Sequence, residues 1–167
     1  VAIGQKGSTV AQIVKTLELL KFADQLTAKQ LTNINYNLGR MYEDIEEADK
    51  AIPYYEKSLI GEPNYEVVHR ALGFIYLAKS TSAVAKINET KAKNDVEGNK
   101  KAFEAYKILI LKALPHLEKY QACDPDEETL NIITNLYKSF KDTKSIETLN
   151  ARLKEMSGKC VTLLDDE

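Results

Sequence analysis

Apolar positions along this chain recur at intervals of three and four, and clean two-residue alternation is absent. That spacing gathers apolar side chains on one face of a helix, so nearly the whole chain reads as helix. A first helix covers about Thr9 to Asp24, with Ile13, Leu17 and Leu20 on one face. Thr27 and Gln30 form a capping box, in which hydroxyl and amide satisfy free backbone donors at a helix start. The helix they open runs to about Glu43, with Ile34, Leu38, Met41 and Tyr42 as its stripe. The next runs from about Glu47 to Ile60. It ends at Gly61, expected in the left-handed conformation, and Pro63 bars continuation.

The pattern then repeats. Leu38-Gly39 recurs as Leu72-Gly73 and Tyr42 as Tyr76, both 34 residues on. The phrase "AIPYYEKSL" at Ala51 returns as "ALPHLEKYQ" at Ala113, 62 residues on, which leaves an excess of 28 residues in the second unit. The excess keeps a helical stripe: Tyr76, Ala83 and Ile87 lead out. Phe103, Tyr106, Ile110, Ala113, Leu117 and Tyr120 return in steps of three and four, as an antiparallel seam does. The polar "TKAKNDVEGNK" reads as the tip. Each helix of this pair is thus lengthened by about 14 residues, roughly 20 Å at 1.5 Å per residue. Weak helix formers at Lys79 to Ser82 leave two alternatives open: a frayed or kinked outgoing helix, or a disordered insertion. Pro53 lies near its helix start, where few donors have partners to lose. Pro115 lies well inside its helix and predicts a kink.

The stretch "NYNLGRMYEDIEEADKAIPYYEKSLIGEPN" resembles a tetratricopeptide repeat, the two-helix unit that reads Trp-x-x-Leu-Gly-x-x-Tyr, then Ala-x-x-x-Phe, then Pro. Leu38, Gly39, Tyr42, Ala51, Tyr55 and Pro63 match in kind, and Asn35 stands where the pattern has Trp. The resemblance, to a bacterial type with an elongated second repeat, implies an all-α antiparallel array of about seven helices. One domain is expected over 1–157: an N-terminal helix at 8–24, repeat 1 at 32–65, repeat 2 at 66–126 with its insertion around 78–105, and a degenerate repeat 3 at 127–157. A tail at 158–167 is expected to be ordered only if Val161, Leu163 and Leu164 find a groove. In similar proteins the first helix of each repeat lines a concave face that holds a partner's peptide. By register the resemblance puts Asn33, Tyr36, Asn37, Arg40 and Glu43 on that face from repeat 1. Val67, Arg70, Phe74 and Leu77 come from repeat 2, and Asn131, Asn135 and Lys138 from repeat 3. Asn37 and Arg40 fall near positions that hold a terminal carboxylate in chaperone-binding relatives, with the rest of that set missing.

Composition adds exclusions. Hydrophobic content of 44%, charged content of 29% and a net charge of −2 describe an ordinary folded domain with no nucleic-acid surface. No apolar run approaches the ~20 residues of a membrane span. The chain begins at Val1, so a removed export signal could have preceded it, and a soluble protein, cytoplasmic or periplasmic, is expected. Cys123 and Cys160 have no metal-site spacing and read as two free thiols. His69 and His116 lack ligand neighbours at helical spacing and read as solvent-facing or partly buried. In "CDPDEE", Asp126 reads as a helix cap and Glu127 and Glu128 as charges at the helix's positive end. Phosphate loops and nucleophile motifs are absent, so no enzyme, cofactor or metal is expected. The expected function is protein interaction, an adaptor or scaffold with a peptide or protein partner. The alternative is an assembly subunit that self-associates or docks through the projecting hairpin.

Overall fold

The computed structural model describes residues 3–162 and 164, with side chains from residue 6 onward. Among the described residues it is all-helical, without a strand: α1 (Ile3–Leu19), a 3-10 segment (Leu20–Gln25), α2 (Ala28–Asp44), α3 (Ala48–Gly61), α4 (Glu66–Ala92), α5 (Val96–Cys123), α6 (Glu127–Ser139) and α7 (Thr143–Ser157). The insertion is helical. α4 and α5 run 27 and 28 residues, against 17 and 14 for α2 and α3. α4 passes unbroken through Lys79 to Ser82, where Ser80 and Thr81 turn their hydroxyls back onto the Leu77 carbonyl. The chain groups into two compact units, Val1–Val68 with Val161–Glu167, and His69–Cys160.

The three helix pairs turn alike. Glu46, Asn94 and Lys141 each take a left-handed conformation, with φ of 65°, 53° and 56°. The following amides reach back five residues: Glu47 to the Tyr42 carbonyl at 2.8 Å, Asp95 to Thr90 at 2.9 Å, and Asp142 to Tyr137 at 3.0 Å. That six-to-one bond satisfies a carbonyl left over at the helix end. None of these turns uses glycine. Gly61 corrects the expectation from the other side. It is the last α-helical residue of α3, and extended Glu62 (φ −138°) caps the end. A Cβ at Gly61 would fall 2.0 Å from Thr32 Oγ1, so glycine serves close helix approach there.

In the first unit, α2 and α3 pack through small residues. A Cβ at Gly39 would lie 2.6 Å from the Tyr55 ring, which is fully buried. The Tyr55 hydroxyl donates to the Glu43 carboxylate, and burial pushes its pKa up. Ser58 Oγ donates to the Thr32 carbonyl at 3.0 Å. Asn35, at the Trp position, is buried; its Nδ2 donates to the Leu31 carbonyl, while Oδ1 finds no partner. Thr27 and Gln30 form the expected capping box. The expected first helix divides: α1 ends at Leu19, and Phe22 (φ −110°, ψ 26°) breaks helical geometry inside the 3-10 segment. Pro53 sits beyond the first ladder bond, from the Ala51 amide to the Glu47 carbonyl, so it removes one helical donor. Val161 pairs with Tyr65, and Leu164 is half-buried; Leu163 lies outside the described residues.

In the second unit, a Cβ at Gly73 would lie 2.9 Å from Leu117 Cδ2, the counterpart of the Gly39–Tyr55 approach. Ile110, Ala113, Leu117, Ile133 and Leu149 are buried, and Glu118 joins them at 6% exposure. Toward the tip the inward row is Ala102, Tyr106 and Ile110, in steps of four. Phe103, expected in the seam, therefore turns outward. α5 is one element through Pro115; the Leu111 carbonyl that this residue cannot serve belongs to an exposed residue, where water can take the bond. Cys123 and Cys160 are not free thiols. They form a disulfide with Cα atoms 5.6 Å apart, because α7 returns beside α5 and ends level with it.

Candidate partner-binding surfaces

The residues assigned to a partner-binding face fall into three groups. The first lies on α2. Asn33, Tyr36, Asn37 and Arg40 follow at three and four residues and share one side of that helix. Asn33 and Asn37 line a cleft of about 430 Å³ with Leu19, Leu26, Lys29, Gln30 and Ile34. The cleft presents the exposed Asn37 amide, aliphatic walls and one cationic head. Asn37 and Arg40 are exposed. Tyr36 is engaged in packing: its ring lies 6.1 Å from Tyr55 and 5.4 Å from Tyr65. Glu43 is likewise taken, by the Tyr55 hydroxyl.

The second group surrounds Tyr120 of α5. Phe74 meets that ring edge-on at 6.1 Å, and the exposed Arg70 guanidinium stands 5.6 Å from it. Burial pushes the Tyr120 pKa up. Asp126 caps α6 by accepting from the Glu128 and Thr129 amides. Its hydrogen bonding to Thr129, with Arg70 nearby, holds its carboxyl below the ordinary range. The third group, Asn131, Asn135 and Lys138, is exposed along one side of α6.

Two clusters were not legible in the sequence. His69 is buried, and its Nδ1 lies 2.8 Å from Nδ1 of His116, so one ring donates and the other accepts. Burial, the His69 ring and Lys119 hold the His116 pKa down at about 4. The His116 ring also stacks on Tyr76 at 6.3 Å, with the Lys112 ammonium 5.5 Å from that ring. The histidines stand 47 residues apart, so only the return of α5 along α4 brings them together. The second cluster is Glu118, which accepts from Arg152 at 2.6 and 3.0 Å and from the Tyr137 hydroxyl at 2.5 Å. Among the described residues, no group of three His, Cys, Asp or Glu could hold a metal ion. No helix of the described residues is long and apolar enough to cross a membrane.

No family model matches the chain, and no solved structure matches it. A curated protein, "Uncharacterized protein ycf37" of Guillardia theta, is 46% identical over 46 residues. That match covers 28% of this chain and 26% of the ycf37 protein, so it spans about a quarter of that relative's length.

Proposed function

We propose that this chain is a non-enzymatic interaction module of the tetratricopeptide-repeat kind, an adaptor that binds an extended peptide of a partner protein along α2. The six-to-one turn shared by three helix pairs supports the repeat reading. The observation that carries the binding reading is the cleft at Asn33 and Asn37. Amides, three aliphatic side chains and Lys29 converge there on an open surface. A peptide with aliphatic and acidic side chains suits that lining, since the exposed Asn37 amide pairs with its backbone and Lys29 with a carboxylate. The test is a peptide selected from a displayed library against the whole chain, with affinity read by fluorescence anisotropy. Asn37→Ala combined with Lys29→Glu weakens binding tenfold or more, while Asn131→Ala with Asn135→Ala leaves it unchanged. Equal affinity in the first variant, or failure to select any peptide, sinks the proposal.

A second reading is an assembly subunit that pairs with itself through the α4–α5 hairpin. It is favoured by Phe103, Ile108 and Leu111, which leave an apolar stripe 48–55% exposed on α5. Sedimentation velocity over a concentration series decides it. A dimer abolished by Ile108→Glu with Leu111→Glu supports assembly, and a monomer at every concentration ends it.

A further inference from the structure

The disulfide stands at a position where its chemistry can be felt elsewhere in the chain. Cys123 is the last residue of α5, and Cys160 lies just past the end of α7. The bond closes a loop of 37 residues that contains α6 and α7 whole. These helices do not depend on it for their attachment. Ile133 and Leu149 are buried, and Arg152 binds Glu118 of α5 directly. The bond fixes the chain three residues beyond the end of α7, immediately before Val161. The Val161 amide, one residue beyond Cys160, donates to the Asn64 carbonyl at 3.0 Å. The Val161 carbonyl accepts from the Glu66 amide at 2.9 Å.

Glu66 is the first residue of α4, and its amide is one of the donors a helix start leaves without an intrahelical partner. At α5, α6 and α7 an aspartate side chain meets such donors: Asp95, Asp126 and Asp142. At Glu66 the acceptor is a backbone carbonyl delivered from nearly a hundred residues downstream. Two net hydrogen bonds are weaker than the conformational entropy lost by ordering the few residues that carry them. Without the bond the chain is anchored only at the end of α7, Ser157, and residues 158–160 must be ordered to bring Val161 to Glu66; tying down Cys160 removes most of that cost beforehand.

Both cysteines are only half-buried, so a thiolate can approach them. We propose that Cys123–Cys160 is a thiol-exchange site, and that its reduction by a dithiol uncaps α4 by freeing the Val161 segment. One thiolate of the dithiol attacks either sulfur, forms a mixed disulfide and expels the other cysteine as a thiolate, which takes up a proton. The second thiol of the dithiol then attacks the mixed disulfide and closes its own disulfide ring. Two electrons and two protons pass to the protein, leaving Cys123 and Cys160 as thiols. α4 to α7 stay folded on their buried contacts.

The experiment is hydrogen exchange by mass spectrometry on the whole chain, oxidised and after treatment with dithiothreitol, with the redox state read from the intact mass. Peptides covering 62–68 and 158–162 exchange at least tenfold faster after reduction, peptides within 127–157 keep their protection, and reoxidation restores the first pattern. Cys160→Ser behaves as reduced protein without any reductant. Val161→Pro, which lacks the amide donor, exchanges fast at 62–68 while its disulfide stays intact. The proposal is overturned by unchanged exchange at 62–68 in fully reduced protein, by loss of protection across all of α5–α7, or by purified protein that carries two free thiols after air oxidation.

Discussion

The two compact units are fastened by different chemistry. The first is held by closeness: Gly39 against Tyr55, Gly61 against Thr32, and the Ser58 hydroxyl on a backbone carbonyl. The second repeats the glycine approach once, at Gly73, and then adds groups that respond to solution conditions. These are the Glu118–Arg152 pair, whose carboxylate side is buried, the His69–His116 pair and the Cys123–Cys160 disulfide. A packing contact is indifferent to pH and reductant. A buried charge, imidazole or disulfide is not. The difference teaches that reductant, and acid acting through His116 between pH 6.5 and 4, should loosen the second unit, while volume changes should loosen either.

The largest test of that contrast is Arg152→Met. It leaves the Glu118 carboxylate, 8% exposed, without its cation in a buried site. Such a loss costs about 3 kcal/mol or more. Hydrogen exchange at α5–α7 should quicken accordingly, with α2–α3 unchanged. Next is Gly39→Ala, whose new methyl must displace the buried Tyr55 ring. Overpacking of this kind costs about 2 kcal/mol, and the loss should appear in α2–α3 at every pH. Protection in α2–α3 equal to that of the parent chain would remove close packing as the fastening of the first unit.

Acid gives the smallest effect and the sharpest one in location. The folded His116 holds off its proton until about pH 4, whereas the unfolded ring takes it up near 6.5. The unfolded state thus binds more protons between these values, and stability falls as pH drops from 6.5 to 4. Above 6.5 the contribution is complete. The loss is on the order of 2 kcal/mol, since a tenfold change in proton affinity is worth about 1.4 kcal/mol and the site is partly wet. His69, Tyr76 and Lys119 stand against His116, and the His69 ring and Lys119 both oppose its protonation. Asp126 and Asp142, both held below their ordinary 3.8, add losses only below that pH. Unfolding monitored between pH 7 and 4 should show the decline, and His116→Gln should flatten it. A wild-type curve flat over that range would mean that the histidine pair does not titrate as its burial requires.

Local rules carried far in this chain. Thr27 and Gln30 announced a capping box, Asp126 a cap, and the stripe beyond Tyr76 an ordered hairpin, because each depends on residues within a turn or two of one another. Where local rules failed, a distant neighbour had intervened. Gly61 is helical because Thr32 of another helix leaves no space for a side chain. Of the assigned binding residues, Asn33 and Asn37 meet in one cleft, but Tyr36 and Glu43 are drawn into packing around Tyr55. Their register on the helix was readable; which neighbour occupies each was not.

By itself the sequence determined that this is an all-helical protein of paired antiparallel helices with an elongated middle pair. Hydrophobic period, caps and turn polarity are properties of short stretches, and they act before any helix meets another. Only the tertiary structure decided that His69 meets His116, that Glu118 meets Arg152, and that Cys123 meets Cys160. Those meetings depend on how far each helix travels before it turns back, and with which side inward. That is set by packing summed over many residues, which no spacing of two residues in the chain records.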